Sequence, residues 1–179
     1  LVLFDTARFP RPKLCGGGIT VRGTQLFEEL LGAPPAGGLT TRGLEFACDG
    51  VGRYTVKEPG PQWVHDRGAL DHQLVEACRA RGIEVREEAD VTALEPAAGG
   101  GWRVRTEGHG PGGEAVETFP WVAACDGATS LGRRATGLFE GTVGRLVEAV
   151  FEKDGSGLRD DMLYFDFDPI LEGIPGYAW

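Results

Sequence analysis

Four apolar residues, Leu1 to Phe4, open the chain and are closed by Asp5, a step that predicts a short strand ending on a carboxylate. The apolar positions then change period. Leu26, Phe27, Leu30 and Leu31 recur at helical spacing, behind the capping residue Thr20 and ahead of Gly32, which stops a helix. Residues 33–38, Ala-Pro-Pro-Ala-Gly-Gly, read as a connector. From Leu39 to Trp63 the chain is rich in Thr, Tyr, Val and Gly without helical period, which predicts two or three short strands with turns at Asp49-Gly50 and Pro59-Gly60. A second helix follows, with Leu70, Leu74, Ala77 and Cys78 on one face between a cap at Asp66 and a stop at Gly82. Ile83 and Val85 alternate with charges, and Val91, Leu94, Trp102, Val104, Val116 and Phe119 mark short strands broken by turns at 97–101 and 108–113. Trp121 to Cys125 is a continuous apolar run that suits a central strand covered on both faces. Near the end, Asp166 and Asp168 are expected on one face of a solvated strand, and Tyr177 and Trp179 on one face of another.

Strand, glycine loop, helix, strand excursion, helix, strand, antiparallel meander, buried strand and turn make a recognisable order. It is that of a nucleotide-binding α/β core interrupted by a mostly antiparallel module. Asp5 then stands at a strand's carboxyl end, where a carboxylate accepts hydrogen bonds from a ribose. Cys15-Gly16-Gly17-Gly18 offers backbone without side chains, against which a phosphate or a flat ring can lie. No Gly-x-Gly-x-x-Gly turn precedes Asp5, and the chain opens on Leu1 and closes on Trp179 inside a strand-like stretch. These features together are read as an internal piece of a longer protein, entered at the second strand of its sheet.

Composition narrows the classes. A chain of 179 residues is one large domain or one and a half small ones, long enough for a packed core. With 27 acidic and 18 basic residues the net charge is −9, and no basic stripe occurs, which argues against nucleic acid as a partner. There is neither an apolar run of about 18 residues nor a signal-like amino terminus, so a cytoplasmic location is expected. Cys15, Cys48, Cys78 and Cys125 are irregularly spaced, with no Cys-x-x-Cys pair and no His at ligand spacing. They read as reduced thiols without a metal site. Cys48, Cys78 and Cys125 are expected to serve packing, whereas Cys15 stands beside the glycines. His65, His72 and His109 form no triad, and no Gly-x-Ser-x-Gly elbow exists.

Several segments together resemble the geranylgeranyl reductase family, FAD-dependent enzymes of the larger group that includes para-hydroxybenzoate hydroxylase. These are Phe9-Pro10-Arg11-Pro12-Lys13-Leu14-Cys15-Gly16-Gly17-Gly18-Ile19-Thr20, Arg67-Gly68-Ala69-Leu70-Asp71-His72-Gln73-Leu74, Cys125-Asp126-Gly127-Ala128-Thr129-Ser130 with Arg133-Arg134, and Gly176-Tyr177-Ala178-Trp179. The resemblance implies an α/β fold: an FAD/NAD(P)-binding Rossmann-like core lacking its first strand, joined to an antiparallel β substrate-domain module. Residues 1–38 and 64–138 would form the FAD-binding part, and 39–63 and 139–179 the substrate part. Asp5 would bind the adenosine ribose, and Gly16, Gly17 and Gly18 would border the flavin ring. Arg67 would reach the pyrophosphate, against the plainer reading of an exposed helix arginine. Asp126 and Gly127 would meet the pyrophosphate and ribityl region. Arg133 and Arg134 either reinforce that region or simply open a basic helix.

Cys15 would face the isoalloxazine, and three roles stay open for it: catalytic, shaping the site, or packing. Tyr177 and Trp179 are either sheet core or walls of a tunnel for an isoprenoid chain. The implied reaction is reduction of carbon–carbon double bonds in a polyprenyl group of a lipid or pigment precursor, with FAD as cofactor. NAD(P)H or a small reduced iron–sulfur protein would supply electrons, and so hydrophobic a substrate allows peripheral membrane contact. Two rivals remain: a flavin monooxygenase or halogenase on the same fold, and a non-enzymatic module without flavin. Lacking the first strand, the piece alone is expected to bind flavin weakly or not at all.

Overall fold

The computed structural model describes residues 1–108, 113–138, 144, 146–150 and 157–179. In chain order the elements begin with β1 (Val2–Phe4), β2 (Gly18–Ile19), α1 (Val21–Leu31), β3 (Leu39–Cys48), β4 (Gly52–Val64) and α2 (Arg67–Ala80). They continue with β5 (Glu84–Arg86), β6 (Ala89–Pro96), β7 (Trp102–Gly108), β8 (Ala115–Phe119), α3 (Leu131–Thr136), β9 (Met162–Asp166) and α4 (Asp168–Leu171). Two compact units result: one of Leu1–Arg11 with Leu74–Leu146, the other of Pro12–Gln73 with Val147–Trp179.

In the first unit β1 runs parallel to β5, with Val2 opposite Glu84 and Phe4 opposite Arg86. A three-stranded antiparallel sheet, β6-β7-β8, lies beside this pair in sequence. Val104 and Thr106 on β7 are buried, as a strand with one covered face requires. Phe119 meets Phe4 edge to face at 6.0 Å between centroids, and the Arg86 guanidinium lies 5.2 Å over the Phe4 ring while pairing with Glu117. These contacts fix the end of β1, and with it Asp5.

The second unit is a four-stranded sheet in the order β2-β4-β3-β9, with β3 and β9 parallel and the other pairs antiparallel. Both helix boundaries follow the expected caps. Thr20 Oγ1 accepts the Gly23 N–H at 3.3 Å, Gly32 closes α1 at φ +82°, and Asp66 accepts the Ala69 N–H at 2.8 Å. On α1 the apolar stripe splits, because Phe27 and Leu31 are half-buried with Thr24 beneath, while Leu26 and Leu30 are exposed.

Four expectations are corrected. The 39–63 region is one long hairpin turning at residues 49–51, and Pro59-Gly60 is a bulge within β4 rather than a turn. There the pairing jumps from Thr41 opposite Gln62 to Gly43 opposite Lys57. Residues 121–125 are not a buried strand: Trp121 is 88% exposed, Cys125 is exposed, and the segment pairs with no strand among the described residues. An apolar run becomes a strand only where a ladder partner satisfies its backbone. Asp166 and Asp168 share no strand face, since Asp166 ends β9 and Asp168 begins α4. Their carboxylates build the turn instead: Asp166 Oδ1 accepts the Asp168 N–H at 2.9 Å, and Asp168 Oδ1 accepts the Asp49 N–H at 2.6 Å. Finally, the closing aromatic stretch is a single bridge between Ala178 and Asp166, not a full strand. The break at 108–113 and His109 fall partly or wholly outside the described residues.

Candidate functional site

The glycine loop belongs to the second unit and is shaped by three different neighbours. Gly17 is buried at φ +75°, and its carbonyl accepts the His65 N–H at 2.9 Å. A Cβ there would stand 1.9 Å from the His65 carbonyl oxygen, so only glycine fits. Gly16 and Gly18 turn their bare faces to the Trp179 indole, where a Cβ would come within 2.6 and 3.0 Å respectively. The loop therefore presents a side-chain-free surface on which a flat aromatic ring lies. Such a bare face, on which the Trp179 ring lies and which any Cβ would fill, has the chemistry to take a flat ring such as an isoalloxazine.

Cys15 is exposed at the loop's entry, and its N–H donates to Glu148 Oε2 at 3.0 Å. Arg67 opens α2 and forms a two-point fork with the largely buried Asp71, Nε to Oδ1 at 2.9 Å and Nη2 to Oδ2 at 3.1 Å. The Asp71 carboxylate, and after it the sulfur of Cys15, raise the Arg67 pKa against the opposing effect of burial. The predicted trio of loop thiol, loop glycines and Arg67 is thus brought together in one unit, with Asp71 as the anchor of the arginine.

Tyr177 and Trp179 flank the Ala178 bridge on one side and are each about half exposed. Trp179 stacks on Phe165 at 6.1 Å, Phe165 on Phe46 at 5.2 Å, and Tyr177 leans on Phe167 at 5.3 Å. A continuous aromatic surface therefore runs from the glycine face along β9 and β3. Sequence reasoning placed the last two rings here but not Phe46, Phe165 and Phe167. Their signal was alternation: Phe165 and Phe167 stand two apart, like Tyr177 and Trp179.

In the first unit Asp5 follows the carboxyl end of β1 as expected. Its Oδ1 accepts the Ala7 N–H at 2.9 Å and its Oδ2 lies 3.5 Å from Arg11. Asp126 is turned toward the start of α3, where its Oδ2 accepts the N–H of Leu131 at 2.5 Å and of Gly132 at 3.4 Å. Burial would raise its pKa, but hydrogen bonds from the Ser130 side chain and from these N–H groups outweigh it, and the net shift is downward. Gly127 adopts φ +80° with open space around its Cα. Arg133 and Arg134 lie in α3, and the Arg133 N–H is taken by the Ser130 hydroxyl cap at 3.0 Å. An open pocket of about 270 Å³ is lined by Leu94, Trp102, Val122, Ala124 and Leu138 together with Ser130, Arg133 and Thr136. Among the described residues no group of three or more His, Cys, Asp or Glu side chains could hold a metal ion, and no helix is long and apolar enough to cross a membrane.

No family model and no curated protein matches the chain. Solved structures do. A flavoprotein/dehydrogenase from Cytophaga hutchinsonii superposes with a TM-score of 0.64 over 93% of this chain at 16% identity. The p-nitrophenol 4-monooxygenase of Pseudomonas putida gives 0.60 over 76% at 16% identity, and the myxobacterial chondrochloren halogenase, an FAD-dependent halogenase, 0.56 over 65% at 20%. The chain spans 43, 37 and 29% of those three proteins. At such identities the likeness is one of fold: a mixed α/β, Rossmann-like architecture with an antiparallel sheet module.

Proposed function

We propose that the chain is the cofactor-holding part of an FAD-dependent oxidoreductase together with the beginning of its substrate surface. The finer reading is a reductase that saturates carbon–carbon double bonds of a geranylgeranyl or related polyprenyl group in a lipid or pigment precursor. The observation that carries it is the side-chain-free face at Gly16–Gly18, which accepts a flat ring and continues into a surface of stacked aromatic side chains. The first property suits a flavin and the second an extended apolar substrate, whose burial is worth roughly 25 cal/mol per Å².

Bound flavin would supply the two-electron chemistry. The chain's own residues bind and align. Asp5 accepts ribose hydroxyls, and Arg67, held in place by Asp71, offers the rest of its guanidinium to the pyrophosphate. Asp126 acts through the start of α3, whose amides it organises. Cys15 shapes the flavin side of the loop, and the rings of Phe165, Tyr177 and Trp179 keep water from an unactivated alkene, where alignment matters more than acid–base power. NAD(P)H or a reduced iron–sulfur protein delivers electrons, and the isoprenoid brings the enzyme to a membrane surface.

One observation favours a second reading, a monooxygenase or halogenase: the fold is shared with enzymes of both kinds. Anaerobic reduction of the full-length protein followed by geranylgeranyl lipid separates the two. Flavin absorbance that bleaches and returns as the alkene is saturated supports the reductase. Reoxidation by oxygen alone supports the monooxygenase, and a colourless protein sinks both.

A further inference from the structure

Beneath the glycine loop lies a histidine that none of these roles uses. His65 follows β4, is 4% exposed, and its Nε2 is buried without a hydrogen-bond partner. Its main chain grips the loop, donating to the Gly17 carbonyl and filling the space a Gly17 Cβ would need. Its ring lies against the connector, where a Cβ on Gly38 would come within 2.7 Å of Cε1 and Nδ1. Gly38 sits at φ +86°, so the connector reaches the ring only because it is glycine there. The connector is clasped in turn by α2: the Ala36 N–H donates to Gln73 Oε1 at 2.9 Å, and Gln73 Nε2 donates to the Ala36 carbonyl at 3.0 Å.

A buried nitrogen without a partner destabilises a fold, and a leucine of similar volume would avoid that cost. Burial also depresses the His65 pKa, which keeps the imidazole neutral near pH 7. A neutral, polar, unpartnered ring packed against Gly38, on a residue whose main chain holds Gly17, has a use that simple packing does not explain.

We propose that His65 is a positioning residue that ties the Gly16–Gly18 loop to the 33–38 connector, with Nε2 reserved for a hydrogen bond made when the loop is occupied. The proposal rests on the flavin reading for its ligand, but the tie itself is measurable without one.

The test compares His65→Leu, His65→Gln and Gln73→Ala in the full-length protein, reading flavin affinity and the rate at which Cys15 is alkylated, resolved by mass spectrometry. His65→Leu is expected to fold with an unchanged or higher Tm yet lose flavin affinity about tenfold, a shift of about 1.4 kcal/mol, while Gln restores most of it. Gln73→Ala, on an exposed clasp, is expected to raise Cys15 alkylation severalfold. A Leu variant that binds flavin as the wild type does removes the role of Nε2, and unchanged Cys15 alkylation in Gln73→Ala removes the tie. Should the wild type bind no flavin, the functional reading fails while the alkylation arm still judges the tie.

Discussion

Two segments of this chain carry glycines for which a cofactor-binding role is proposed, and they are held in opposite ways. The Gly16–Gly18 loop is set from a distance: by the His65 backbone, by the Trp179 indole and, through Cys15, by Glu148. The Asp126-Gly127 turn is set by its neighbours, with Asp126 and Ser130 serving the first amides of α3 and each other, and the segment before it has no ladder partner among the described residues. As a sequence motif the second is the more specific of the two. As a structure the first is the more determined, because tertiary packing constrains every one of its glycines while Gly127 meets no atom within 4 Å and, among the described residues, the carboxylate beside it bonds near neighbours.

Equivalent substitutions in the two segments should expose that difference most strongly. Gly17→Ala forces a methyl onto a carbonyl oxygen 1.9 Å away and strains a residue at φ +75°. Strain of about 1–3 kcal/mol plus the clash should unfold the loop and lower the stability of its unit by 3 kcal/mol or more. Gly127→Ala meets no atom within 4 Å and bears only the cost of φ +80°, about 1–2 kcal/mol. Denaturant titrations of the two variants read this directly, and equal losses would refute the comparison.

Asp71→Asn is the next largest. It replaces a charged two-point fork by at most one hydrogen bond to a neutral amide oxygen and leaves the Arg67 guanidinium without its counter-charge beside Cys15. A loss of about 1.5–3 kcal/mol is expected. Because Arg67 also bears on the Cys15 sulfur, the variant should change the alkylation rate of Cys15 more than that of Cys125, which belongs to the other unit. Parallel changes at both thiols would mean general loosening rather than a local release.

What was legible in the sequence divides along the same line. Thr20, Gly32, Asp66 and Gly82 mark helix ends through hydrogen bonds to near neighbours, so composition and spacing suffice to place them. The carboxylate closing β1 and the alternation in β7 are local too. Trp121 to Cys125 fails because an apolar run does not say whether a partner strand stands beside it. Pro59-Gly60 fails because the same dipeptide serves a turn or a bulge, and the backbone of Gly60 passes so close to the Val21 side chain that a Cβ would approach it to 2.9 Å. The candidate site was legible as residue types: Cys15 adjoins the glycines in the sequence, and Arg67, singled out with them through the resemblance, stands in the same unit. Of its supports, Asp71 is local, one helical turn from Arg67, but His65 and Phe165 act on partners distant in sequence and carry no local mark.

The smallest expected effect belongs to the locally held turn and depends on pH. Asp126 has a folded-state pKa below its ordinary value, so its contribution to stability is fully present above about pH 4 and is lost as pH falls through the lower folded value. The carboxylate is exposed and its partners are two amides and a hydroxyl, so the contribution is that of a helix cap moderated by solvent, about 0.5–1 kcal/mol. Asp126→Asn should therefore cost that much at pH 7 and nearly nothing at pH 2, with stability curves for variant and wild type converging between. The glycine loop predicts the opposite pattern, because the penalty of Gly17→Ala is steric and should be the same at both pH values. Convergence in the first pair and a constant gap in the second would separate a site held by charge from one held by shape.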